Sequence, residues 1–290
     1  MKILAIGKRN SGKTCYFNYA RSLFKTKGKY ASRTSPMSDF FSLPKDAEEM
    51  DFVVATGAIK SHDFTLRYER GQVGGDKSVL DFSFVDVPGG IYDQFLQSST
   101  PPSDWESILY KANTRYGYAE YDHRNYNAIL IIVDGEDFKG LCIAGTGSQV
   151  QNLIECSAQA SRSKGRIPTY LVIAHADKLS QQDKNLIDQT IKRIVQFCIS
   201  KGLPSIDTFF VDVEEPKTVS YSLRLNSHSL DNDNRRRGQI PFLKLMKLNI
   251  DKILADTPRS GWFKKIWVVP KDERLEKAIK AIDGILNRLY

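Results

Sequence analysis

The chain opens on Lys2–Ile6 (K-I-L-A-I), a short and mostly apolar run. Gly7-Lys8-Arg9-Asn10-Ser11-Gly12-Lys13-Thr14 follows at once, and then Cys15–Phe24, which suits a helix. A strand, a glycine-bounded G-x-x-x-x-G-K-T loop and a helix in that order leave few folds open. The glycines let the backbone curl so that successive N–H groups face inward and cradle an anion. The helix starting near Gly12 adds the positive end of its dipole. Gly7, Asn10, Ser11, Gly12, Lys13, Thr14 and Cys15 are therefore candidate binding residues for a phosphorylated ligand. Lys13 is placed to reach β- and γ-phosphates, and the Thr14 hydroxyl to bind Mg²⁺. A glycine turn without a ligand would carry the same letters; the flanking strand and helix favour the cradle.

The rest of the chain suits an α/β fold. Its 290 residues are 41% hydrophobic, with 15 Phe and 13 Tyr, enough for one large α/β domain or one domain with an appendage. No apolar run approaches a membrane span, and the immediate entry into a strand leaves no room for a signal peptide. Cys15, Cys142, Cys156 and Cys198 lack C-x-x-C spacing, so reduced, buried thiols in a cytoplasmic protein are expected. The net charge of +8 sits in residues 235–290, which hold fourteen Lys and Arg against six Asp and Glu. That asymmetry sets the carboxyl-terminal segment apart.

Strand-like and helix-like stretches alternate, which predicts a mostly parallel sheet flanked by helices. Thr26–Met50 reads as a long loop. His62–Glu69 and Ser78–Val87 alternate apolar and polar residues around glycine-rich Gly71–Lys77, which predicts an antiparallel hairpin. Ala128–Val133 and Thr169–Ala174 are continuous apolar runs, as in strands buried on both faces. Ile206–Val213 is a further strand, and Gln149–Ser163 and Gln181–Lys201 are helices, the second stopped by Gly202 and Pro204. Phe242–Ile253 and Arg274–Tyr290 carry amphipathic stripes: Leu243, Met246, Ile250 and Ile253, then Leu275, Ile279, Ile282, Leu286 and Leu289. Packing inside the molecule is the default for such stripes; docking on a partner or an anionic surface is the sharper alternative.

Three further elements bear on the phosphates. Asp86-Val87-Pro88-Gly89 ends a strand as D-x-x-G, where the carboxylate can serve Mg²⁺ and the Gly89 N–H a γ-phosphate. Thr56 lies just ahead of the first hairpin strand, where a threonine can complete a magnesium shell; Thr34 is the competitor. Ala174-His175-Ala176-Asp177-Lys178 follows an apolar strand at the carboxyl edge, where α/β sheets bind ligands. There Asp177 can accept from both N1–H and the 2-amino group of guanine, a pair that adenine does not offer.

Taken in order, Gly7–Thr14, Thr56, Asp86–Gly89 and Asp177 resemble the Ras- and Arf-like branch of the P-loop GTPases over roughly residues 1–215. The D-x-P-G form is also similar to divergent bacterial GTPases, including double-GTPase proteins. The resemblance implies a three-layer fold on a mostly parallel six-stranded sheet with one antiparallel edge hairpin. Residues 216–290 then form a basic carboxyl-terminal extension with two amphipathic helices. It implies GTP and GDP as ligands and Mg²⁺ held by Thr14, Thr56 and Asp86. Lys13, Thr56 and Gly89 take catalytic roles, and His175, Asp177 and Lys178 join the loop as nucleotide-binding residues. Switch segments near residues 30–60 and 86–100 would dock a protein effector. Two positions depart from the family: Ala174-His175 stands for a polar residue and lysine of the base motif, and Gly90 replaces a glutamine. Without that glutamine nothing local orients water, so turnover is expected to be slow, with Asp93, Gln94 or a partner's arginine as substitutes. A non-hydrolysing nucleotide scaffold and an ATPase are the alternatives.

Elsewhere the residues carry less chemistry. His62, His123, His175 and His228 have no metal-ligand spacing. Arg235-Arg236-Arg237 reads as a solvated loop rather than a nucleic-acid contact, because no stacking aromatics adjoin it. Tyr110–Tyr126 is rich in tyrosine and suits a partner surface or a packed domain edge equally.

Overall fold

The computed structural model describes residues 1–8, 11–13, 16, 60–69, 77–87, 89–97, 126–144, 147–212, 216–219, 222–225, 232–256 and 273–289. Its elements run β1 (Lys2–Ile6), β2 (Lys60–Glu69), β3 (Lys77–Asp86), α1 (Gly89–Leu96), β4 (Ala128–Asp134) and α2 (Gly135–Ile143). They continue with α3 (Gly147–Ser163), β5 (Thr169–Ala174), a 3₁₀ turn (Ala176–Lys178), α4 (Gln181–Ser200) and β6 (Asp207–Val211). The last are β7 (Pro216–Val219), β8 (Ser222–Leu225), α5 (Asn232–Asp256) and α6 (Glu273–Leu289).

Five strands pair in parallel in the order β3-β1-β4-β5-β6, and β2 stands outside β3. The turn of the expected hairpin, and so its antiparallel sense, lies outside the described residues. β1 has β3 on one side and β4 on the other, so the strand order reverses there. In open α/β sheets the crevice beyond the carboxyl ends of the strands at such a reversal is where ligands bind.

The uninterrupted apolar runs of β4 and β5 are buried along nearly their whole length, as strands covered on both faces must be. Leu4, Ile6, Ile129, Ile131, Val133, Leu171 and Ile173 turn one face to a core shared with Val150, Leu153 and Ile154 of α3 and Ile187, Ile191 and Ile194 of α4. Burying each such side chain stabilises by about 1.5–3 kcal/mol. α4 starts on a capping box, Ser180 Oγ accepting from Asp183 N while Asp183 reaches back to Ser180 N. It ends at Gly202, whose φ of +74° a side chain would resist, where the sequence placed the stop.

By internal contacts the chain divides into two units, Met1–Asn18 with Asp51–Asp63 and Phe82–Gly238, and Tyr19–Met50 with Phe64–Asp81 and Gln239–Tyr290. The first holds the strand ends described above. In the second, Leu243, Met246 and Ile250 of α5 and Leu275, Ala278 and Ile282 of α6 are buried. Lys247 pairs with Asp283 between the two helices.

Several expectations are corrected. Arg235–Arg237 belong to helix α5, which begins at Asn232 rather than Phe242 and carries Pro241 inside it. The cause is continuity of helical backbone through a polar stretch that has no apolar period to announce it. Helices α1 and α2 and the antiparallel pair β7–β8 were not legible, because each is too short to show a period. Among the described residues Cys142, Cys156 and Cys198 form no disulfide, and burial pushes the Cys198 thiol up to about 11.

Candidate functional site

The loop after β1 is pressed against β4. A Cβ on Gly7 would stand 2.1 Å from the Ile132 carbonyl oxygen and 2.7 Å from Ser11 Oγ, so only glycine fits. Ser11 N donates to Lys8 O at 3.2 Å, closing the turn, and Gly12 takes a φ of +82°. Tyr16 N then donates to Gly12 O at 2.8 Å, the spacing of a helix that starts at Gly12. Lys13 is buried, at 7% exposure, and its ammonium donates to the carbonyls of Gly7 (2.8 Å) and Lys8 (2.9 Å). The loop thus keeps its own cation folded across it. Ser11 Oγ is buried and has no hydrogen-bond partner among the described residues, a state that a ligand or water normally relieves.

Beside the loop, β3 ends at Asp86, which lies opposite Ala5 in register, and Val87 N donates to Ala5 O at 3.0 Å. Gly89 opens helix α1. An added Cβ on Gly90 would meet nothing within 4 Å. Tyr92 and Phe95 anchor α1 in the core. Its end is clasped by Asn152 of α3, whose side-chain amide donates to Phe95 O and Gln97 O, each at 2.7 Å. Carbonyls left over at a helix end are satisfied in this way.

On the other side of β1, Asp134 ends β4 and caps α2, its Oδ1 accepting from Glu136 N (3.0 Å) and Asp137 N (3.2 Å). Asp137 pairs with Lys8 at 2.9 Å. The Asp137 carboxylate, through its hydrogen bond and its charge, holds the Lys8 ammonium above the ordinary lysine range, and Asp93 and Asp134 add to it. Asp93 therefore stands close enough to the loop to be felt there. Burial, helped by Asp93 and Asp137, raises Tyr92 well above an ordinary phenol.

β5 ends at Ala174, and His175 takes a left-handed φ of 55° to enter the 3₁₀ turn. Lys178 N donates to His175 O at 3.1 Å. Asp177 and Lys178 are exposed on the rim. His175 Nε2 lies 3.9 Å from Asp134 Oδ2, and its buried Nδ1 has no partner among the described residues.

The structure thus gathers Gly7, Ser11, Gly12 and Lys13 at the end of β1, Asp86 and Gly89 beside β3, and His175, Asp177 and Lys178 two strands away at the end of β5. Two strand spacings are about 10 Å. Asn10, Thr14, Cys15 and Thr56 lie outside the described residues. Sequence reasoning missed Lys8, Asp134, Asp137 and Asn152. Asp134 and Asp137 had a signal: Asp134-Gly135-Glu136-Asp137 directly follows an apolar strand, the pattern of a carboxylate at a strand tip that caps a helix. Asn152 had none.

No family model and no curated protein matches the chain. Among solved structures it is similar to the Arl6 BBS3 small GTPase of Trypanosoma brucei with a bound nucleotide analogue, at 14% identity and TM-score 0.35, over 73% of this chain and 86% of that one. It is similar to the signal recognition particle receptor SRb–GTP/SRX complex of Chaetomium thermophilum, at 14% identity and TM-score 0.39, over 75% and 95%. A third is translation elongation factor SelB of Methanococcus maripaludis with the GTP analogue GppNHp, at 11% identity and TM-score 0.34; the match spans 73% of this chain and 29% of that one. These likenesses are distant.

Proposed function

We propose that the chain binds a guanine nucleoside triphosphate with Mg²⁺ in the crevice beyond β1, β4 and β5, and works as a nucleotide-dependent switch that hydrolyses GTP to GDP slowly. One observation carries this reading. At the reversal of strand order, a loop too close to β4 for any side chain at Gly7 holds a buried lysine ammonium across itself. Ser11, buried with its hydroxyl unpartnered, supports it.

In this reading the loop N–H groups and the helix end at Gly12 receive the phosphates. Lys13 exchanges the Gly7 and Lys8 carbonyls for β- and γ-phosphate oxygens and neutralises the charge that builds on them. Thr14, Thr56 and Asp86 offer oxygen donors only, the kind that Mg²⁺ takes, and register sets Asp86 beside Ala5 at the mouth of the loop. When bound, the ion would neutralise charge on the β- and γ-phosphate oxygens. Among the described residues no group of three His, Cys, Asp or Glu offers a rival metal site. Asp177 accepts from the guanine edge, flanked by His175 and Lys178. Gly89 N–H meets the γ-phosphate, so α1 and the Thr56 segment differ between the two nucleotide states and dock an effector in one of them.

Gly90 leaves the attacking water without a local guide, which makes turnover slow. It is also the observation that favours a second reading, a nucleotide-holding scaffold with no turnover. We assign residues 1–215 to the nucleotide-binding domain and 216–290 to an extension, with β2 as the antiparallel edge of the sheet. We place the protein in the cytoplasm, its basic tail facing an anionic surface.

Denaturing purified protein and separating what it releases tests the ligand. GDP or GTP is expected; ADP or ATP alone moves the site to adenine. Single-turnover assays with Lys13→Ala then decide between switch and scaffold: wild type and variant both at background would leave only the scaffold.

A further inference from the structure

Beside the cradle runs a line of polar side chains, of which the reading above uses His175 alone. It starts in the phosphate loop, where Lys8 Nζ meets Asp137 Oδ2 at 2.9 Å. Asp137 N donates to Asp134 Oδ1 at 3.2 Å, so the first turn of α2 ties the two acids together. The other oxygen of Asp134, Oδ2, lies 3.9 Å from His175 Nε2. His175 in turn opens the 3₁₀ turn that carries Asp177.

Each link has a physical reason to be there. The two loops hang from β1 and β5, which β4 separates, and α2 leaves the end of β4. Its first turn is therefore the element standing between the loops. A left-handed backbone at a residue other than glycine persists only where its surroundings hold it, and His175 keeps a φ of 55°. Its side chain is only 13% exposed, with Asp134 facing one ring nitrogen and no partner among the described residues on the other.

We infer that Lys8, Asp137, Asp134 and His175 form a brace joining the phosphate loop to the base loop, in which Asp134 and Asp137 are positioning residues that set how long a nucleotide is held. The inference rests on the proposed nucleotide reading only for what the loops hold. Fixing both loops before binding reduces the ordering cost, and its loss shows chiefly in the rate of release.

The test is the release of mantGDP from full-length protein with Mg²⁺ present. Lys8→Met and His175→Gln should each speed release by about fivefold, the upper range for partly exposed charge pairs. Because either change breaks the same brace, the double variant should also stay near about fivefold, whereas independent contacts would multiply to about 25-fold. Asp137→Glu should release at the wild-type rate while Asp137→Asn releases faster, a split that general loosening would not give. Multiplying effects, or unchanged release in the single variants, would overturn the brace. Amide exchange in nucleotide-free protein is the second arm: Lys8→Met and His175→Gln should each speed exchange at Glu136 and Asp137. If wild type holds no mantGDP, the nucleotide reading fails and this arm alone judges the brace; wild-type exchange in both variants would overturn it.

Discussion

At Gly7 a methyl group would stand 2.1 Å from a carbonyl oxygen of β4, a separation that forces backbone to move. Gly7→Ala should therefore lower stability by about 1–3 kcal/mol as an overpacked site. It should also abolish nucleotide retention; urea unfolding and chromatography of released nucleotide check the two separately. Gly90 is the opposite case, since an added side chain there meets nothing within 4 Å. Gly90→Gln in the first turn of α1 should leave stability equal or raise it by up to about 1 kcal/mol. It should also speed single-turnover GTP hydrolysis if water lacks only a guide. Unchanged hydrolysis in a folded variant would mean that the missing group comes from elsewhere. The residues at Gly7 and Gly90 were legible one by one, because a glycine in a known pattern speaks for itself. Lys8 was not: a lysine inside the loop gives no hint of Asp137, which is far along the chain and close only once β4 lies beside β1.

Helix α1 follows the D-x-x-G turn, and its far end hangs on Asn152. Asn152→Ala leaves the Phe95 and Gln97 carbonyls without that donor and should cost about 1–3 kcal/mol. Amide exchange should rise in α1 before it rises in the sheet. Equal exchange throughout would show that the clasp holds the fold rather than that helix. The capping box of α4 makes a pH prediction. The Ser180 hydroxyl, and then Lys139, hold the Asp183 carboxyl below the usual range. A carboxyl lowered in the folded state contributes in full above its unfolded value of about 3.9 and loses that contribution as pH falls through the lower folded value. Melting temperatures of wild type and Asp183→Asn should thus differ above about pH 4 and converge in acid. This helix was readable as Gln181–Lys201, with Gly202 and Pro204 marking its far end. α1 and α2 were not, because so few residues show no period and their placement is set by what they cap and clasp.

The excess of positive charge lies wholly in residues 235–290, yet the apolar stripes there face inward: Leu243, Met246, Ile250, Leu275 and Ile282 are buried. Of the two readings the sequence left open, packing inside the molecule accounts for those stripes. Ile250→Asp and Ile282→Asp should lower the melting temperature sharply, as an unpaired charge in an apolar site must. Variants that melt like wild type but leave anionic vesicles would return the stripes to a membrane role. Retention of wild type on such vesicles, if the tail meets an anionic surface, should fall steeply with salt, because screening acts on exposed charge.

From the sequence alone came the loop with its cation, the Asp86 and Asp177 carboxylates and the parallel α/β layout. These are local matters: glycine's freedom, the length of an apolar run, a cap at a helix end. Only the tertiary structure set Lys13 on the carbonyls of its own loop, Asp137 against Lys8, Asp134 opposite His175 and Asn152 under α1. Those meetings follow from strand order, and no stretch of chain contains the information that β4 lies between β1 and β5.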